Sequence, residues 1–290
     1  MKNRKYEIAG HLFEVSGENL VTAMSGIEGF KPFEATEGEP LFHFMEGASE
    51  DVPAMVKEQY TFDYEDVHGS FGSTKEGFRL SLKPEAEEPF ELWCNLDARK
   101  VWVQGNWSMY LYRFALWVGY GLMTLPYDTV AIHSSCIVYK EKAYLFLGES
   151  GTGKSTHTRL WREHIEGATL LNDDSPIIRI KDGKAWAYGS PWSGKTPCYK
   201  NEHYELAGCV RLSQAPYNQI RKLPVLQAYG AIHPSCPPEF AYDAALYDHI
   251  SSFINQLLSA VPFYHLACLP DAAAAQLSSQ TLFGDEADTQ

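Results

Sequence analysis

Positive charge is scarce in this chain, with 24 Lys and Arg against 37 Asp and Glu and a formal net charge of −13. An acidic surface argues against nucleic acid or an anionic membrane as the main partner, because both are bound chiefly by basic side chains. A local basic pocket, such as a phosphate site needs, is not excluded. Cysteine pairs of the C-x-x-C kind are also missing. Cys94, Cys136, Cys198, Cys209, Cys236 and Cys268 are scattered, and a chain of this size needs no staples, so reduced thiols are expected. No apolar run is long enough to span a bilayer: residues 111–125 come nearest, at about 15 residues against the ~20 required, and include Arg113. The basic N-terminus lacks the apolar stretch of a signal peptide. The expectation is a cytoplasmic protein with no membrane and no nucleic-acid partner. Internal repeats and low-complexity segments are absent.

What is present suits one large or two ordinary domains, at 290 residues and 45% hydrophobic content. The first hundred residues read as a β-meander. Strands are expected in residues 5–15 about Gly10, and in 59–64, 78–82, 90–94 and 100–104, where apolar and polar residues alternate. Residues 69–77, rich in Gly and Ser, read as a turn-rich connection. His11, His43 and His68 are isolated and carry no ligand spacing. A helix is expected over 108–124, with Ser108 as its N-cap and an apolar circumference that marks it as buried. Pro126 is then the boundary between a β-rich domain, 1–125, and a larger α/β domain, 126–290, so the fold class is mixed α/β (α+β). The acidic tail 284–290 is expected to be disordered.

The most informative stretch is Gly148, Glu149, Ser150, Gly151, Thr152, Gly153, Lys154, Ser155 and Thr156. It fills every fixed position of the G-x-x-x-x-G-K-[ST] phosphate loop. Glycines let successive backbone N–H groups ring a phosphate with no Cβ in the way. Lys154 supplies a cation for the outer phosphates, and Ser155 offers a hydroxyl to Mg²⁺. An apolar strand at 143–147 precedes the loop and a helical pattern at 156–165 follows it, as the motif requires.

The loop is fed by a hairpin: a strand over 131–139, a tight turn at Lys140, Glu141 and Lys142, then the strand 143–147. That makes the neighbour antiparallel, whereas most phosphate-loop proteins enter the motif between parallel strands. The hairpin returns His133 toward the loop end of the sheet. Downstream, residues 168–174 form an apolar strand ending in Asn172, Asp173 and Asp174, where a Mg²⁺ partner of the loop belongs. Successive strand residues face opposite ways, so the two carboxylates need not share a role. A second hairpin, 176–180 and 185–188, leads into a Gly/Ser/Pro loop at 189–195 that either covers substrate or simply turns the chain.

The order of His133, hairpin, phosphate loop and Asp173-Asp174 resembles the HPr kinase/phosphorylase family and is similar to the ATP-dependent phosphoenolpyruvate carboxykinases. The likeness is firm over 130–195 and looser over 206–212 and 261–271. It implies a nucleotide-binding α/β core, ATP or a related nucleotide, and Mg²⁺. It further implies that Lys154 holds the β/γ-phosphates, that Ser155 and Asp174 contact the metal, that Asp173 is the general base, and that His133 supports the base or the transferring group. Thr156 departs from the family, which carries an acidic residue there. The expected function is a kinase-like phosphotransferase acting on a hydroxyl of a small molecule or peptide. A non-catalytic nucleotide-binding accessory or sensor is the alternative. Homo-oligomerisation is left open.

Overall fold

The computed structural model describes residues 3–64, 66–85, 87–105, 108–194 and 196–287. It divides into two compact units, residues 1–126 with 239–247, and residues 127–238 with 248–290. The fold is mixed α/β and built on large sheets.

The first unit carries β1 (Asn3–Ile8), β2 (His11–Ser16), β3 (Glu34–Ala35), β4 (Phe42–Glu46), β5 (Lys57–Tyr64), β6 (Val67–Ser73), β7 (Phe78–Pro84), β8 (Phe90–Asn95) and β9 (Lys100–Gln104). They lie in one sheet in the order β3-β1-β2-β4-β9-β8-β7-β6-β5. Ala9 and Gly10 both take positive φ, the geometry of a two-residue hairpin turn, and set β1 against β2. Helices α1 (Glu18–Ser25) and α2 (Met109–Thr124) complete the unit. As its all-apolar pattern implies, α2 is mostly buried, and the Tyr120 hydroxyl donates to the carbonyl of Ile8 at 3.0 Å.

One segment expected as a turn is a strand. Residues 67–73 form β6, paired on both sides, so only 74–77 turn the chain. The glycines that suggested a turn are there for space. Gly69 is opposite Phe62 in the register, and a Cβ on it would lie 2.2 Å from the Phe62 ring. At Gly72 a Cβ would lie 2.3 Å from the carbonyl oxygen of Lys57. Glycine inside a strand often marks such a close approach.

Segment 239–247 belongs to this first unit through its own contacts. Tyr242 stacks on Tyr60 at 4.6 Å, Phe240 meets Phe71, and Gln59 donates to Asp243 at 2.6 Å. Glu239 in this segment is buried, and its Oε2 has no hydrogen-bond partner among the described residues. Burial pushes its carboxyl up to about 7 from an ordinary 4.5. The folded state therefore holds a proton that the unfolded chain releases, and stability is lost as pH rises from 4.5 through 7. The shift corresponds to about 3 kcal/mol at most. In urea unfolding, Glu239→Gln should flatten the fall in stability between pH 5 and 8. An unchanged pH slope would show that Glu239 is not its source.

The second unit holds β10 (Thr129–Ala131), β11 (Ser134–Tyr139), β12 (Lys142–Leu147), β13 (Thr169–Asp174), β14 (Ile177–Lys181), β15 (Lys184–Tyr188), β16 (His203–Gln214), β17 (Gln219–Lys222) and β18 (Phe263–Cys268). The main sheet order is β10-β14-β15-β16-β12-β11-β13, with β18 parallel to the second half of β16 and β17 antiparallel to β18. Its helices are α3 (Lys154–His164), α4 (Val225–Ile232), α5 (Ala244–Ala260), whose first turn lies in the first unit, and α6 (Ala272–Ala287). The core between sheet and helices gathers Tyr144, Phe146, Leu160, Trp161, Val210, Tyr264 and Leu266.

Three local expectations are corrected here. The strand expected at 131–139 is two strands, β10 and β11, interrupted at Ile132 and His133, because β10 pairs β14 whereas β11 pairs β12 and β13. The turn after β11 has two residues, Lys140 and Glu141, both at positive φ, with Lys142 already paired to Tyr139. The tail expected to be disordered from 284 is helical through Ala287, and residues 288–290 lie outside the described residues. All six cysteines are free. No described helix is long and apolar enough to cross a membrane.

Candidate functional site

The register of the sheet determines which residues meet. Ser134 pairs Leu147 on one side and Asp174 on the other; Leu147 pairs Arg211, and Arg211 pairs His265. One row across β13, β11, β12, β16 and β18 thus brings Asp174, the start of the glycine loop and Arg211 to a single edge. The strands β12, β13 and β16 all end there, the position where open α/β sheets bind ligands. β11 begins where β12 ends, so His133, just ahead of β11, is at the same edge. Its backbone N–H is held at 2.7 Å by the carbonyl of Ser235.

Between β12 and α3 the chain runs through Gly148, Gly151 and Gly153, all at positive φ. At Gly151 and Gly153 the left-handed backbone (φ 81 and 104) is the requirement, since a Cβ there would meet nothing within 4 Å. Side chains there would be strained without being crowded. Thr152 closes the turn through its N–H and hydroxyl, both donating to the carbonyl of Glu149. Ser150 lies at the tip of this turn. Thr156, in the first turn of α3, is half-buried.

Lys154, the first residue of α3, folds back over the loop. Its ammonium donates to the carbonyls of Gly148 at 2.8 Å and Glu149 at 3.2 Å, and lies 3.1 Å from His133 Nε2. His133 Nδ1 lies 3.3 Å from Asp174 Oδ1. The proton positions on His133 follow from these two contacts. An ammonium can only donate, so Nε2 is the acceptor toward Lys154, and the proton of a neutral imidazole is then on Nδ1, the nitrogen that faces Asp174. Burial pulls the Lys154 ammonium below its ordinary value, Asp174 and Asp173 pull it back up, and Arg211 adds to the effect of burial.

The two carboxylates have different surroundings. Asp173 is buried and accepts the Ser155 hydroxyl at 3.0 Å. The Asp174 side chain is 40% exposed and faces His133. Asp174 also has φ 138, rare for a residue with a Cβ. Non-glycine residues in such regions cost about 1–3 kcal/mol and cluster at functional sites. The backbone is held there by a bridge from Asp174 to Ser193 and by the Gly194 N–H donating to the carbonyl of Asp173. Buried Asn172 supports the same loop, its amide donating to the carbonyls of Ser190 and Trp192 while its oxygen accepts the Ser175 N–H at 2.9 Å. The loop at 189–194 is therefore a brace for the Asp pair; Lys195 lies outside the described residues.

Two residues at the edge escaped the sequence reading. Arg211 donates to Glu149 Oε1 at 3.3 Å and to the carbonyl of Ala231 at 3.2 Å, so it carries positive charge to the rim of the loop. Gln214, also on β16, donates to the carbonyl of Gly151 at 3.1 Å. The signal was a basic residue near the end of a parallel strand, visible only once β16 is known to pair with β12. His157, on α3, is a core residue, held by Ser278 and Trp161.

Among the described residues no group of three His, Cys, Asp or Glu side chains is placed to hold a metal ion. The donor set does fit Mg²⁺, which takes one or two protein oxygens and completes its shell with phosphate and water. Ser155 Oγ beside Asp173 Oδ1 is such a pair. The glycine loop, free of Cβ atoms at Gly151 and Gly153, fits a polyphosphate in the same way.

No family model matches the chain, and no curated protein matches it. Among solved structures, the chain is similar to the Hpr(Ser) kinase/phosphatase from Coxiella burnetii, at 12% identity over 55% of this chain and 91% of that one, with a TM-score of 0.32.

Proposed function

We propose that the chain is an ATP- and Mg²⁺-dependent phosphotransferase that phosphorylates a hydroxyl group of a small molecule or peptide. The observation that carries this is the convergence of Lys154, His133, Asp174 and the Ser155–Asp173 pair around one glycine loop. Phosphoryl transfer asks a protein for little beyond positioning and charge neutralisation, and this set supplies both.

In this reading the backbone N–H groups of 148–153 hold the phosphates, and Lys154 exchanges its carbonyl partners for phosphate oxygens. Ser155 and Asp173 are the metal side of the site. When bound there, Mg²⁺ neutralises charge that develops on the phosphates. Asp174 accepts the proton of the acceptor hydroxyl as its oxygen bonds to the γ-phosphorus and the bond to the leaving diphosphate breaks. His133 is a positioning residue: its Nδ1–H orients the Asp174 carboxylate, and its Nε2 holds the Lys154 ammonium nearby. This assignment exchanges the roles that the family resemblance implies for the two carboxylates. Asp174 is the exposed one, able to meet an acceptor, and Asp173 is the one bonded to Ser155.

The first test is label transfer from γ-labelled ATP with Mg²⁺ to a fractionated cell extract. Transfer to one fraction by the wild type establishes the kinase and supplies its acceptor. Binding without transfer to any fraction favours the accessory or sensor reading. Nucleotide binding itself is checked by thermal unfolding. At 100 times its dissociation constant a ligand stabilises by about 2.7 kcal/mol, and Lys154→Ala should lose most of that gain. A wild type unmoved by ATP would count against the phosphate-loop assignment.

A further inference from the structure

Positive charge, scarce in the chain as a whole, gathers along one row of the second unit's sheet. Leu147, the last residue before the glycine loop, pairs Arg211; Arg211 pairs His265; and His265 pairs Arg221. Side chains directly opposite one another in a sheet share a face, so these three stand side by side. We propose that this row is the acceptor-recognition site of the phosphotransferase and that it takes the carboxylates of an acidic peptide. The inference rests on the proposed phosphoryl transfer and adds to it the class of the acceptor.

The groups of the row act on one another and lead away from the reacting end of the loop. Burial, and in addition Arg211, pull the Lys154 ammonium down. Burial first, then Arg221 and Arg211, hold the half-buried His265 imidazole below its ordinary 6.5. Its Nε2 lies 3.0 Å from Ser213 Oγ, two residues on from Arg211 and on the same face. A guanidinium has five N–H donors, and neither arginine uses all of them. Arg221 donates to Gln227 Oε1 at 2.8 Å and has no carboxylate partner among the described residues. Arg211 is tied to the carbonyl of Ala231, and the one carboxylate it meets is Glu149, whose side chain is 79% exposed. Gln227 and Ala231 are one turn apart on α4, which carries no charged residue. The row is therefore a set of cations with donors to spare and no fixed counter-charge.

Its length selects a peptide over a small molecule. The strands run in the order β13-β11-β12-β16-β18-β17. At about 4.8 Å between neighbours, Arg211 is about 14 Å from the strand of Asp174 and Arg221 about 24 Å. An extended chain, at about 3.3 Å per residue, covers those spans in about four to seven residues. A hydroxyl at Asp174 and carboxylates at the row thus belong to different residues of one peptide. Val225 and Leu226, next to Gln227, are 71% and 85% exposed and offer that peptide apolar contact at the far end.

The test uses the full chain with β,γ-imido-ATP and Mg²⁺ filling the loop, and follows the His265 imidazole by NMR. Hexa-aspartate should raise its titration midpoint by about half a pH unit or more, because a nearby carboxylate favours the imidazolium. Hexa-asparagine should leave it unmoved. In Arg221→Gln, at an exposed position, the free midpoint should start higher and the rise with hexa-aspartate should be at least halved. No response to hexa-aspartate overturns the row as an anion site, and an equal response to succinate overturns the peptide as its occupant. Label transfer then compares two peptides, one serine and four glycines followed by three aspartates or by three asparagines. The aspartate peptide should be labelled at least fivefold faster by the wild type and lose that advantage with Arg221→Gln. No difference between the peptides, alongside transfer to an extract fraction, overturns the acceptor role and leaves the phosphotransferase standing. No transfer to extract or peptides overturns both.

Discussion

Asp174→Asn should lower phosphoryl transfer by about 10²–10⁴-fold, the usual contribution of a positioned general base, with nucleotide affinity changed only a few-fold. Asn keeps the shape of Asp and its place opposite His133, but it cannot take a proton from the acceptor. Asp173→Asn should act differently. It removes the charge beside Ser155 Oγ, so the Mg²⁺ concentration needed for half-maximal binding should rise. Titrating Mg²⁺ at fixed ATP for both variants separates the two roles. If transfer disappears only in Asp173→Asn, with its Mg²⁺ requirement unmoved, the base is Asp173, as the family resemblance implies. His133→Gln offers a further check on positioning. Gln can donate one hydrogen bond to Asp174 but cannot at the same time accept from Lys154 with imidazole geometry, so kcat should fall more than KM rises.

How far the sequence reveals this site depends on whether each signal is local. The glycine loop is legible because its chemistry is contiguous: three glycines at positive φ, then Lys154 and Ser155 on the first turn of a helix. Asp173 and Asp174 are legible as a pair because an apolar strand leads into them, and His133 because a hairpin of known length returns it to the loop. Their separate surroundings are not legible. Those depend on the unusual φ of Asp174 and on the bridge to Ser193, nineteen positions further along. Arg211 and Gln214 are equally hidden, since their place follows from β16 pairing with β12 across more than sixty residues of chain. Gly69 and Gly72 show the opposite failure: a local signal for turning that the tertiary structure uses for the close approach of Phe62 and the β5 backbone. The placement of 239–247 with the first unit has no local signature, because aromatic partners such as Tyr60 for Tyr242 lie far away in sequence.

Trp161→Ala should destabilise the protein by about 3–5 kcal/mol, the range for deleting a large buried aromatic, against total stabilities of about 5–15 kcal/mol. Trp161 is fully buried on the core face of α3, within 5.6 Å of the Phe146 ring and 6.0 Å of the Tyr144 ring. Its indole N–H donates to Ser278 Oγ at 2.9 Å and to His157 Nε2 at 3.2 Å, joining α3 to α6. Trp161→Phe keeps most of the ring area and leaves His157 and Ser278 bonded to each other, so its cost should be about 1–2 kcal/mol, near that of the lost hydrogen bonds. The acid dependence gives an independent readout. Burial holds the His157 imidazole down to about 4, while the unfolded chain takes up its proton at about 6.5. The unfolded state therefore binds more protons in that window, and stability should fall as pH drops from 6.5 through 4, by up to about 3 kcal/mol. Trp161→Ala opens a cavity beside His157 that admits water and shortens that acid limb, whereas Trp161→Phe should preserve it. Urea midpoints between pH 4 and 7 for the three proteins decide the matter. Equal acid limbs in all three would mean that Trp161 does not keep His157 dry. The same helix carries Lys154 and Ser155 at its start, so the Ala variant should also bind nucleotide more weakly than the Phe variant.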